Sequence, residues 1–94
     1  MEFEWDPAKD ALNIEKHGIA FEDAEDVFAD PERLAEDSTK PEFGEERRRA
    51  IGRLGPNVVT VVFTDRNGRR RIISARRADK HERARYDERS ETPT

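Results

Sequence analysis

VVTVVFTDRNGRRRIISAR, running from Val58 to Arg76, decides the fold of this 94-residue chain. Its opening, Val58 to Phe63, is β-branched and aromatic, which suits a central strand buried on both faces. Asn67 and Gly68 tolerate the positive φ that a two-residue hairpin turn demands, so the chain is expected to reverse there and return over Arg69 to Arg76. On the other side, Gly55, Pro56 and Asn57 form a second turn, preceded by a strand over Arg47 to Leu54. Three consecutive antiparallel strands follow from turn chemistry and side-chain type alone.

Working outward, Phe3 and Trp5 alternate with Glu2 and Glu4 as in a short two-faced strand. Asp6 followed by Pro7 has the form of an N-cap with proline in the first turn, so a helix should run from Pro7 to His17 and end at Gly18. Phe21, Ala24, Val27 and Phe28 recur at helical spacing, and Asp30 with Pro31 should stop that second helix. Leu34 to Asp37 is expected as a brief strand, and Ser38 to Glu45, with Pro41 and Gly44, as a mobile loop. Ala78, Glu82 and Tyr86 fall at i, i+4 and i+8 of a C-terminal helix. The expected fold is α+β: an N-terminal short strand and two helices packed on an antiparallel sheet of about four strands, then the C-terminal helix. Residues 1–89 are expected as one domain and 90–94 as a disordered tail.

Hydrophobic residues make up 33% of the chain and charged residues 43%, so the core must be small. The absence of cysteine excludes disulfides, thiolate zinc sites and a cysteine nucleophile, and points to a reducing, cytoplasmic setting. MEFEWDPAKD lacks the apolar stretch of an export signal, and no run is long enough to cross a bilayer, so no membrane partner is expected. P-loop, dinucleotide-binding and HExxH patterns are missing, and neither metal nor cofactor is expected.

Charge divides by position. Met1 to Glu46 holds 4 Lys/Arg against 16 Asp/Glu, whereas Arg47 to Thr94 holds 14 against 6. The net charge of −4 therefore conceals a basic surface suited to a polyanion, with RNA or DNA the leading ligand class. Strict alternation would put Ile72, Ser74 and Arg76 on one face of their strand and Arg71, Ile73 and Ala75 on the other. Arg76, leaving a strand just before a helix, is placed to hold a phosphate with its fork, or else to form a rim ion pair. Arg47, Arg49, Arg69 and Arg71 crowd adjacent strands, and that repulsion must be answered by RNA or by the chain's own carboxylates. At the end of the first helix, His17 is favoured as a cation, which suits a general acid or a simple helix cap. His81 lies among Arg77, Arg85 and Arg89, which favour its neutral form. Glu82, one turn before Tyr86, is either a base or the partner of an arginine.

Several stretches in order, FEWDPAK (Phe3 to Lys9), Asn13 with KHGIAFEDA (Lys16 to Ala24), FADP (Phe28 to Pro31), EERRRAIG (Glu45 to Gly52) and RIISARRADKHERARYDE (Arg71 to Glu88), resemble the BrnT family of type II toxins. The resemblance implies a RelE-like α+β fold, metal-independent endoribonuclease activity, and a cognate BrnA-type, DNA-binding antitoxin that assembles with the toxin as a heterotetramer. Such cleavage needs a base for the 2′-hydroxyl, cations for the phosphorane and an acid for the leaving oxygen. On this reading Arg76 carries the transition-state charge, Glu82 or His81 is the base, and His17 is the acid. Arg47, Arg49, Arg71, Arg77, Lys80 and Arg83 hold the RNA backbone. The rival is a non-catalytic interaction module acting only through its partner complex. The two differ in whether the arginines stay reachable.

Overall fold

In a computed structural model, which describes residues 1–91 and side chains as far as Arg89, the hairpin and its flanking strands form the middle of a five-stranded sheet. The elements are β1 (Glu2–Glu4), α1 (Pro7–His17), α2 (Phe21–Ala24), β2 (Leu34–Asp37), β3 (Arg48–Leu54), β4 (Asn57–Arg66), β5 (Arg69–Arg77) and α3 (Lys80–Glu91). Strand order is β1-β5-β4-β3-β2, with β4 central as its composition requires. The four C-terminal strands are antiparallel. β1 adds a fifth strand, parallel to β5, so the sheet is mixed and wider than the four strands expected.

Local signals act where they stand. The Asp6 carboxylate accepts from the Ala8 backbone N–H at 2.9 Å, and Gly18 ends α1 in the left-handed region at φ 71°. Asn67 and Gly68 both take positive φ in the β4–β5 turn. The second helix is shorter than expected: α2 gives way at Glu25 to a tighter 3-10 turn through Ala29. Ala20 supplies no capping side chain, and Glu22, Asp23, Glu25 and Asp26 crowd one stretch with like charge, both of which disfavour a longer regular helix. A short 3-10 turn at Pro41–Phe43 also interrupts the expected loop.

A β-bulge corrects the face assignment on β5. Phe63 pairs with Ile72 but Val62 pairs with Ser74, so Ile73 is the extra residue and parity inverts across it. Ile72 and Ala75 therefore share the core side with Val61 and Phe63, while Arg71, Ser74 and Arg76 belong to the opposite face.

The main core lies between the sheet and the α1–α2 layer. Phe21, Val27, Val61 and Ile72 are essentially excluded from water, each contributing about 1.5–3 kcal/mol of transfer free energy. Phe28 joins Phe3 to Phe63 through ring contacts of 5.2 and 5.1 Å, and Trp5 packs edge-on to Phe21, as a core residue. Gly52 allows a close approach here, because a Cβ would meet the Val27 carbonyl oxygen at 3.1 Å and the neighbouring backbone would have to give way. Asn13 ties α1 to the open edge of β5, donating to the Ile19 and Ala75 carbonyls at 2.8 Å and accepting from the Ala75 N–H. On the other face α3 rests on a smaller cluster of Ile51, Ala78 and Tyr86, flanked by Leu34 and Val58. α3 runs to Glu91, two residues into the expected tail; residues 92–94 lie outside the described residues.

Candidate functional site

Register fixes the second sheet face row by row. Ser74, Val62, Arg49 and Glu36 follow one another across β5, β4, β3 and β2, and the next row is Arg76, Thr60, Ile51 and Leu34. Arg71 stands opposite Thr64 at the far end. α3 covers the Ile51 and Leu34 side, and Lys40, Phe43 and Arg47 wall a cavity over Val62 and Ser74, so that Arg76 and Arg49 stay half-exposed between them.

The start of α3 is locked by a reciprocal cap. The Asp79 N–H donates to Glu82 Oε1 at 2.9 Å, and the Glu82 N–H donates to Asp79 Oδ1 at 2.8 Å. This cap holds Glu82, 2% exposed, against the arginines of the sheet. Arg76 meets it with both terminal nitrogens, Nη1 to Oε1 at 2.7 Å and Nη2 to Oε2 at 3.1 Å. Arg49 approaches the same carboxylate at 3.9 Å and donates from Nε to Glu36 at 3.0 Å. Glu36 in turn accepts two bonds from Arg85 of α3, at 2.8 and 2.9 Å. Arg76, Glu82, Arg49, Glu36 and Arg85 thus form one continuous network between sheet and helix.

Burial pushes the Glu82 carboxyl up, but hydrogen bonds from Arg76 and the Asp79 backbone, with the Arg76 charge, outweigh it and hold its pKa at about 2. Thr60, fully buried beneath Arg76, lies near enough to favour that anion, yet its Oγ1 forms no hydrogen bond of ordinary length and angle. Both Glu82 oxygens are engaged. A carboxylate so occupied and so weakly basic is poorly suited to accept a 2′-hydroxyl proton, and its geometry is that of an anchor for Arg76. Glu36 is likewise lowered, first by the Arg85 bonds, with burial opposing and Arg49 assisting.

A family described as "Ribonuclease toxin, BrnT, of type II toxin-antitoxin system" matches residues 5–82. The chain belongs to the BrnT toxin family. Among curated proteins the comparison finds no match. The matched span closes on Glu82, the residue that binds α3 to Arg76. As a member of a type II toxin–antitoxin family, the chain has an antitoxin as its partner class.

The residues expected at a BrnT site fall into three places. Arg76 and Glu82 are joined directly, with Arg49 beside them. Arg47 and Arg71 lie further along the same face, paired with Glu45 at 3.2 Å and Glu4 at 2.8 Å. Arg77 and Arg83 line a cleft of about 260 Å3 with Arg53, at the β3–β4 turn and the start of α3. Among the described residues none of these three, nor Lys80, forms an ion pair within 4 Å. His17 lines a different cavity, beside α1 with Ile73 and Ser74, and His81 is exposed in the first turn of α3; the structure does not bring the two histidines into one cavity. Sequence reasoning missed Glu36 and the cap, and saw Arg53 only as one of the arginines around the sheet. The D-x-x-E pattern at Asp79 to Glu82 was the available signal for the cap. Glu36 carried none, because its partners, Arg49 and Arg85, come from other elements. Among the described residues no group of three or more His, Asp or Glu is placed to hold a metal ion, and no helix is long and apolar enough to cross a membrane.

Proposed function

We propose that this BrnT-family chain is a metal-independent endoribonuclease with a RelE-like active face, acting in the cytoplasm to inhibit translation. The RNA lies across the open sheet face, and a BrnA-type antitoxin neutralises the toxin in an assembly of two copies of each. Arg76 carries the reading. Its pair with Glu82 uses Nη1 and Nη2, so the edge formed by Nε–H and the second Nη2–H keeps its donors, and its side chain is 34% exposed. A guanidinium fixed on one edge and open on the other is preorganised for a phosphorane oxygen. Arg49, 32% exposed and bonded only through Nε, adds a second cation.

Cleavage is a transesterification: the 2′-oxygen forms a bond to phosphorus as its proton leaves, and the bond to the 5′-oxygen breaks as that oxygen gains a proton. The products are a 2′,3′-cyclic phosphate and a 5′-hydroxyl. Glu82 serves as anchor, and because His81 and His17 stand in separate places, only one of them can act at the phosphate that Arg76 holds, His81 as base or His17 as acid. Arg77, Lys80 and Arg83, with Arg53, hold the backbone beyond the scissile phosphate. Among the described residues none of the four has an ion pair within 4 Å, although Asp87 shares the lining of their cleft, and this favours the reading over a purely structural module. The test is cleavage of RNA by purified protein with EDTA and with Mg2+, comparing Arg76→Lys and Arg49→Ala with wild type. Losing such a donor is expected to lower the rate about 10^2-fold or more in folded protein. Wild-type cleavage by Arg76→Lys would remove the fork from the mechanism, and loss of wild-type cleavage in EDTA would overturn metal independence.

A further inference from the structure

The β5 bulge joins two cavities that the network above does not use. One, of about 200 Å3, lies between α1 and the sheet edge, and its α1 wall carries Lys9, Leu12, Lys16 and His17. The other, about 170 Å3, lies over the open face, walled by Lys40, Phe43 and Arg47 with Val62 at its base. Ile73 and Ser74 line both, so the extra residue of the bulge is the rim they share. Neither lining contains an aspartate or glutamate. In a half-chain with 16 carboxylates this segregation is informative: three of its four cations, Lys9, Lys16 and Lys40, line the strip. Two large apolar side chains on it, Leu12 and Phe43, are 63% and 44% exposed. The Arg47 guanidinium lies 3.7 Å from the centre of the Phe43 ring and is also paired with Glu45 at 3.2 Å.

From this arrangement we infer that the strip is a binding path for single-stranded RNA, extending the substrate from the open face over the bulge to α1. The inference rests on the nuclease reading and names the substrate's form. Lysines with no carboxylate in the cavity linings suit phosphates, and an exposed aromatic ring stiffened by a stacked arginine, itself held by Glu45, suits an unpaired base, whose π-face is available only outside a duplex. The order of the strip, lysines, apolar rim, then aromatic and cations, matches a strand whose backbone and bases are both accessible. An acidic protein segment would satisfy the lysines but would leave the Phe43–Arg47 stack without a partner of its own shape.

The experiment measures anisotropy of a labelled, cleavage-resistant 2′-O-methyl RNA, single-stranded and as a duplex, with wild type, Lys9→Glu/Lys16→Glu, Lys40→Glu and Phe43→Ala. These residues are exposed, and thermal melts confirm that each variant is folded. Wild type should prefer the single strand. Phe43→Ala should weaken it about tenfold, and the double lysine variant should reduce the slope of log affinity against log salt by about 1.4. Cleavage of ordinary RNA is read in parallel. If wild type cleaves and the variants bind and cleave as it does, the strip is not the path, although the nuclease reading stands. If the variants keep RNA affinity but lose antitoxin binding, the strip is a protein-docking surface and the inference is overturned. Absence of both binding and cleavage by wild type would overturn the nuclease reading together with it.

Discussion

Replacing Glu82 by glutamine tests whether this carboxylate is the anchor of the Arg76 network. The change keeps the side chain's shape and removes its charge. The structure sets the magnitude: the carboxyl, 4.5 unperturbed, is held at about 2 in the folded protein. A depression of roughly 2.5 units corresponds to about 3 kcal/mol favouring the folded state at neutral pH. Because the folded-state pKa is the lower one, this contribution is full above the unfolded value and disappears as pH falls through the folded value. Urea unfolding of wild type and Glu82→Gln should therefore differ by about 3 kcal/mol at pH 7 and by less than half of that at pH 3. For a chain of this length that is a drop in Tm of at least about 10 °C at neutral pH. Asp30, Asp37 and Asp65 are also lowered, and their contribution to acid unfolding is common to both proteins and cancels in the difference, whereas Glu36, linked to Glu82 through Arg49, is coupled to the substitution. A gap between the two proteins that does not change from pH 7 to pH 3 would refute the charge argument.

The tie between α1 and β5 is expected to fail in Asn13→Ala, which leaves the Ile19 carbonyl and both Ala75 backbone groups without their partner. The cost should be about 3 kcal/mol in chemical denaturation, and a loss below 1 kcal/mol would mean that water replaces the amide without penalty. Tyr86→Phe removes the 2.6 Å bond from the phenol to Asp30 that pins α3 to the turn ahead of β2. Burial raises the Asp30 carboxyl, while Tyr86 and the Glu32 and Arg53 backbone N–H groups lower it, so losing the phenol should raise the pH at which acid unfolding begins. A cost of about 1–2 kcal/mol in thermal melts is expected; an unchanged melting curve at both neutral and acid pH would show that the bond contributes nothing.

What the chain declares locally, it carries out. Asp6 with Pro7, Gly18, and Asn67 with Gly68 act within a few residues of themselves, and the elements they bound stand where residue type puts them. The errors come from information that is not local. Strand alternation contains no mark for the single extra residue at Ile73, yet that residue reverses which side chains accompany Arg76. β1 reads correctly as a strand, but its parallel seat against β5 depends on pairing across 67 residues, as between Glu4 and Arg71. The same distance hides the site. Arg76 and Glu82 are both visible as candidates, and so is an arginine partner for Glu82, whereas which arginine it meets depends on a helix cap that turns the carboxylate inward.

The internal pairing of the arginines does not decide between nuclease and interaction module until donors are counted. Carboxylates of the acidic half reach into the basic half throughout: Glu4 to Arg71, Glu36 to Arg49 and Arg85, and Glu45 to Arg47. Partly exposed pairs of this kind add little stability, and each holds a long side chain in one place. A guanidinium has five N–H donors. Arg71 spends one on Glu4 through Nη1, and Arg49 spends Nε on Glu36, so each retains a face toward solvent. The acidic half thus lowers the entropic cost of presenting these cations without consuming them, and on the proposed function an incoming phosphate would add to the network instead of displacing it. Arg70 differs from the rest: its Nε and Nη2 both bind Asp65 while its guanidinium lies over Phe28 and Phe63. Arg70 is consumed by the fold, and Arg49, Arg71 and Arg76 are positioned by it.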